Sequence, residues 1–194
     1  MFSLVDLTFF GLIGVFLYFL YDVVKNRKRT SLIRKIVFLS FLVYLCAVWH
    51  FTIGEINIPP QREFAHIDVQ FIPFFFVWDW YQMYKHGGTD WFFWNSVKLT
   101  FFNVLLLFPF GVYLPLLRKH ITFKRGIVFC FLASLTIESL QLALSATGLM
   151  MPRTFDVDDL MVNTFGGAAG FCFSALVCRA AGKKSAFETK GCSR

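Results

Sequence analysis

Glu138 and Gln141 stand three residues apart inside an apolar run, a spacing that puts both side chains on one helical face, where they can address one ligand. A second polar group follows: Arg153, Asp156, Asp158, Asp159 and Asn163 lead into the next apolar run. An ionised carboxylate in hydrocarbon costs about 3 kcal/mol or more, so such a group is normally paired or functional. Glu138 therefore needs a partner, for which Arg153 and Asn103 are candidates. Otherwise it carries a raised pKa and exists as a neutral acid, the condition for proton transfer. Asp156, Asp158 or Asp159 could act as its partner or as ligands for a hard divalent cation. Glu138 and Asp159 are the candidate catalytic groups. Asn103, Glu138, Gln141, Arg153, Asp156, Asp159 and Asn163 are the candidate ligand-binding groups. An Asp at a helix start caps free N–H groups and complements the positive end of the dipole. Capping accounts for one Asp, not for three acids with an Arg and an Asn163 one turn after Asp159. The competing reading is a salt-bridge network that pins helix ends.

Positioning these groups falls to apolar segments. The chain has 194 residues, 57% of them hydrophobic, with a mean hydropathy of +0.60, which is more apolar than an ordinary soluble domain. About 20 apolar residues cross a hydrocarbon core, and runs of that order lie at 4–24, 36–53, 97–117, 126–146 and 160–178. The expectation is an all-α integral membrane protein, a bundle of about five transmembrane helices. Residues 1–60 would form an N-terminal two-helix hairpin, 61–180 the main membrane domain and 181–194 a mobile tail. The first run is read as a retained helix rather than a signal peptide, because its basic residues follow it and no small-residue cleavage site is present.

The net charge of +7 does not indicate nucleic acid. Most basic residues fall into three short tracts beside hydrophobic ends: Lys25 to Lys35, Arg118 to Arg125, and the C-terminal tail. Such tracts mark the cytoplasmic side, which predicts an outside N-terminus, a cytoplasmic C-terminus and the lipid bilayer as partner. On this map Cys46, Cys130, Cys172, Cys178 and Cys192 lie in spans or tail, and no CxxC or HxxxH spacing occurs. Outer-face disulfides and zinc are unsupported, and no cofactor is expected.

The long connection at 54–96 contains Pro59, Pro60 and Pro73, then an aromatic part with Trp78, Trp80, Tyr81, Tyr84, Trp91 and Trp94. Interleaved with Asp79, Lys85 and Asp90, these rings suit an interfacial helix or re-entrant turn at the headgroup level between helices 2 and 3. His66, Asp68 and Gln70 alternate with apolar residues as in an extended stretch, and His86, Gly87 and Gly88 predict a turn. Pro109 and Gly111 shape the third span. Gly166 and Gly170 form a small-xxx-small surface for a neighbouring helix. The predicted topology brings the candidate ligand groups from three spans to the outer leaflet, as a polar pocket.

Asn103 to Gly111 resembles the Asn-apolar-Pro-apolar-Gly motif of the VanZ-like membrane proteins. Glu138 and Gln141, then Asp156, Asp159, Asn163, Gly166, Gly167 and Gly170, resemble that family's Glu-x-x-Gln and Asp-x-x-x-Asn-x-x-Gly-Gly pattern, and Val69 to Phe74, with Ile72 and Pro73, its Leu-x-Pro-Phe segment. The resemblance covers about residues 66–178, with a longer turn at 147–154 carrying Arg153. It implies resistance to glycopeptide antibiotics, particularly of the teicoplanin type, in Gram-positive bacteria. On that reading an outer-leaflet pocket of a cell-envelope protein engages a lipid-linked cell-wall precursor or the glycopeptide. The alternative is an intramembrane acid–base or divalent-metal enzyme acting on a lipid-linked substrate; a third is a scaffold whose polar residues only stabilise the bundle. A transporter is disfavoured by the absence of an inverted repeat.

Overall fold

Every long apolar run of the chain forms a helix, because a helix satisfies its own backbone hydrogen bonds where water is absent. The computed structural model describes residues 4–25, 32–53, 56–61, 63, 65, 67–118 and 121–180. Its elements are α1 (Leu4–Lys25), α2 (Leu32–Ile53), β1 (Asp68–Gln70), α3 (Phe75–Gly87), α4 (Trp91–Leu117), α5 (Phe123–Ala146), β2 (Thr154–Asp156) and α6 (Val157–Ala180). Four helices, α2, α4, α5 and α6, are long and apolar enough to cross a membrane; within α1 the apolar stretch Phe10–Asp22 is shorter. The protein is mostly helical, with β1 and β2 paired as a two-stranded sheet. His66 and the tail at 181–194 lie outside the described residues.

The expected boundaries hold within a few residues except at α4, which starts six residues before position 97. Asp90 explains the difference: its side chain accepts the Phe93 N–H at 2.9 Å, an N-cap that carries Trp91 and Trp94 into the helix. The aromatic segment thus divides between α3 and the first turn of α4. Gly88, with φ of 68°, ends α3 as the His86–Gly87–Gly88 signal predicts.

The chain forms two compact units. The first comprises Met1–Asp68 and Ser139–Thr154. Here Lys35, at the start of α2, binds both the Asp22 carboxylate (2.9 Å) and the Asp22 carbonyl (2.8 Å) of α1. Tyr18 and Phe38 meet edge to face between the same two helices. The C-terminal turns of α5 end at Gly148, whose φ of 72° admits the Leu149→Leu144 and Gly148→Ser145 carbonyl bonds of a Schellman motif. A Cβ on Gly148 would lie 2.3 Å from the Gln61 carbonyl oxygen, so the turn and the 57–61 segment are in backbone contact. Asn57 and Gln61 donate their N–H groups to Leu149 and Gly148 there.

The second unit comprises Val69–Glu138 and Phe155–Arg194. Its centre is the seam between α4 and α6. A Cβ on Gly166, Gly111 or Gly170 would lie 1.9 Å from the carbonyl oxygens of Val104, Gly167 and Phe108 respectively. Contacts advance along both helices together, so α4 and α6 run parallel with their backbones touching. Both Pro109 and Pro115 are accommodated inside α4, and Gly111 is one of the points of closest approach. α6 is the most enclosed span, with 39% of its apolar window buried against 11–17% for the other three.

Candidate functional site

The head of α6 organises the polar residues of the second unit. Asp156 ends β2 and accepts the Asp158 N–H at 2.8 Å, an N-cap bond for the first turn. Asp158, only 3% exposed, is committed elsewhere: its two carboxylate oxygens accept the N–H groups of Phe74 (2.5 Å) and Phe76 (2.9 Å) at the start of α3. Phe74 lies in the left-handed region, φ 62°, a conformation that costs an ordinary residue about 1–2 kcal/mol. Asp158 holds that strained entry in place and supplies the negative charge that a helix N-terminus attracts. Two of the three acids are therefore caps, Asp156 for α6 itself and Asp158 for a helix distant in sequence.

Asp159 faces α4. The Asn103 side-chain amide donates to its Oδ1 in a short hydrogen bond. Because α4 begins at Trp91, Asn103 sits three turns into the helix, deeper than a span starting at position 97 would place it. Glu138, 3% exposed on α5, accepts the Asp156 N–H through Oε2 at a long 3.4 Å. Asn103 thus bonds Asp159, one of the two carboxylates that the residue types alone make its candidate partners. Asn163, 1% exposed, lies one turn beyond Asp159 on α6. Asn103, Glu138, Asp156, Asp159 and Asn163 are consequently gathered in one unit, through backbone and side-chain contacts from α4, α5 and α6.

Gln141 and Arg153 belong to the other unit. The Gln141 amide donates to the Thr52 carbonyl at 2.7 Å. That carbonyl is one of the last of α2 and lacks an intrahelical donor, so Gln141 acts as a C-terminal cap. Arg153 is exposed; its N–H donates to Ser145 Oγ at 3.1 Å, and its guanidinium makes no ion pair among the described residues. Asp68, expected on an extended stretch, is in β1 and accepts the Thr154 hydroxyl at 2.9 Å.

The electrostatics of the cluster are acidic. Burial raises the Asp156 pKa, the Asp158 N–H bond lowers it, and the neighbouring Asp158 charge raises it again, with a net upward shift. Carboxylates beside two carboxamides can accept hydrogen bonds from hydroxyl, amide or ammonium groups and can exchange a proton. No group of three or more His, Cys, Asp or Glu side chains among the described residues is arranged to hold a metal ion.

The sequence left three functional partners unread: Asp158 with α3, Gln141 with Thr52, and Lys35 with Asp22. The first two join residues more than 80 positions apart and leave no local signal. Asp22 beside a basic tract could have identified the third.

Among known protein families, the one described as VanZ/LLP1 matches residues 41–178, a match that reaches back into α2. Neither a curated protein nor a solved structure matches the chain.

Proposed function

Since the chain belongs to the VanZ/LLP1 family and carries four helices able to span a bilayer, it is a multi-pass membrane protein, and we propose a more specific role. The acidic cluster of Glu138, Asp156, Asp159, Asn103 and Asn163 binds the polar headgroup of a lipid-linked cell-wall precursor or a glycopeptide, and so protects against teicoplanin-type antibiotics. The observation that carries this reading is the bonded pair Asn103–Asp159 beside a Glu138 that is 3% exposed. Bonded acceptors held at fixed spacing in an apolar surround offer a headgroup hydroxyl or amide a preorganised partner.

On this proposal α1 serves as a fifth span, the N-terminus is outside, and the cluster opens to the outer leaflet. The positions of the basic tracts support that orientation. The aromatic helix α3, with Trp78, Tyr81 and Tyr84 exposed, lies at the headgroup level. Its attachment to Asp158 supports a role in bordering the site.

The test is antibiotic susceptibility in a sensitive Gram-positive host expressing wild type, Glu138→Gln or Asp159→Asn at matched membrane abundance. Wild type is expected to raise the teicoplanin inhibitory concentration, and each variant to lose at least about tenfold of ligand affinity, the equivalent of one strong hydrogen bond. Equal protection by the variants would make the cluster structural. No protection by wild type would end the resistance reading.

The upward shift of Asp156 beside the enclosed Glu138 favours one alternative, acid–base chemistry on a lipid-linked substrate. Turnover of such a substrate by purified protein, with a pH profile abolished in Glu138→Gln, would distinguish the enzyme from a binding protein.

A further inference from the structure

The interface between α5 and α6 contains two buried polar atoms, Ser134 Oγ outside the acidic cluster and Asn163 Oδ1 within it. Gly126, Cys130, Ser134 and Glu138 are all buried, at a spacing of four that forms one stripe along α5. Three members of that stripe have identified neighbours on α6 or at its N-cap. A Cβ on Gly126 would touch the Phe171 ring, a Cβ on Gly167 would meet the Cys130 side chain, and Glu138 meets the Asp156 N–H. The pairs run in opposite directions, so Ser134, one turn beyond Cys130, is level with Asn163, one turn back from Gly167.

Ser134 is 0% and Asn163 1% exposed, and neither Ser134 Oγ nor Asn163 Oδ1 has a hydrogen-bond partner among the described residues. Ser134 is unusual for a helical hydroxyl here. Thr52, Thr100, Thr136 and Thr164 each return their hydroxyl to the carbonyl four residues earlier. That local bond would satisfy Ser134 as well, but its hydroxyl is left without it. Two unbonded buried polar atoms at one level of one interface each carry a desolvation penalty unless something bonds them.

We propose that Ser134 and Asn163 form a buried hydroxyl site between α5 and α6: one O–H group donates to Asn163 Oδ1 and is hydrogen-bonded to Ser134 Oγ. Asn163 Oδ1 accepts only, so its partner must be a donor. Ser134 Oγ can donate or accept, which an O–H group can match in either sense. A water molecule meets this need, as does a hydroxyl of a lipid headgroup. The site lies one helical turn from Glu138 along α5, and so continues the polar groups of the cluster into the span.

The experiment determines a high-resolution structure of the full chain in nanodiscs of dioleoyl phosphatidylglycerol, and measures thermal unfolding of wild type, Ser134→Ala and Asn163→Leu in the same discs. An isolated density peak within hydrogen-bond distance of both atoms assigns the site to water. Density continuous with a longer molecule assigns it to a headgroup hydroxyl. A direct Ser134–Asn163 bond, or no density at either atom, overturns the proposal. The melting data read its sign. A filled site predicts that each substitution lowers the midpoint by about 2–4 °C, one hydrogen bond in a chain of this size. A dry interface predicts a rise, because an unbonded desolvated group has been removed. Neither measurement depends on antibiotic susceptibility, so this proposal and the headgroup reading stand or fall separately.

Discussion

Two helix pairs of this protein hold together by different means. α4 and α6 meet through glycines pressed against carbonyl oxygens, whereas α1 and α2 meet through one buried ion pair, Lys35 with Asp22, and side-chain contact. Gly11 would place a Cβ at an ordinary 3.6 Å from Cys46 Sγ, and Gly14 would meet nothing within 4 Å. The contrast follows from the solvent. Lipid tails are as apolar as leucine, so apolar burial gives two helices little reason to associate. What remains is backbone close enough for dispersion and weak Cα–H···O contacts, or a polar bond that lipid cannot replace. The α4–α6 pair relies on the first device along its length and adds the Asn103–Asp159 bond near the head of α6.

The comparison is broken most severely at the seam. Gly166→Val would drive a side chain into the Val104 carbonyl, an overlap that no rotamer relieves. Such overpacking costs about 1–3 kcal/mol in a yielding core and more against backbone, so folded, monodisperse protein recovered in detergent should fall sharply, while Gly14→Ala leaves the yield unchanged. A seam variant that purified like wild type would refute the close approach.

An intermediate effect is expected in the hairpin. Lys35→Met leaves the Asp22 carboxylate without its cation; removing one partner of a buried pair costs up to about 3 kcal/mol, reduced here because Asp22 keeps 22% exposure. Adding Asp22→Leu to Lys35→Met should recover most of the thermal midpoint. If the double variant melts no higher than the single one, the pair does not hold α1 to α2.

The smallest effect sharpens the contrast by pH. With its pKa raised, Asp156 holds its proton more tightly in the folded state than in the unfolded chain. Its contribution to stability is therefore complete below the ordinary aspartate range and is lost as pH rises through the raised value. Asp156→Asn keeps an N-cap residue and should flatten that part of the stability curve, read by unfolding midpoints on a pH series. An unaltered slope would place the titration on another group.

Much of this arrangement was legible in residue types. Hydropathy alone located α2, α5 and α6 to within a few positions, and the Gly166–Gly170 spacing announced a close helix neighbour. Asn103, Glu138, Asp156, Asp159 and Asn163 stood out because polar groups in apolar runs are costly. The partners were not legible. Asp90 looked like one more charge among aromatic rings until its carboxylate was seen on the Phe93 N–H. Asp158 was indistinguishable from Asp156 and Asp159 by sequence, yet only the folded chain brings the strained Phe74 within its reach. Gln141, three residues from Glu138, is drawn by the open carbonyl of Thr52 to a different unit. Spacing along one helix fixes which face a residue shares, not which neighbour occupies that face.

The glycine seam also restricts how the protein can move. Gly166 and Gly170 act as notches that receive the Val104 and Phe108 carbonyls of α4, and Gly111 is a notch for the Gly167 carbonyl, like teeth in a rack. Sliding α6 by a single residue would bring Phe165 or Phe171 against those carbonyls, and a full-turn shift of about 5.4 Å would bring up Asn163 or Ser174 instead. No gradual path lies between such registers. Any opening that admits a ligand to the acidic cluster must therefore leave α4 and α6 as one rigid blade and hinge on the elements around them.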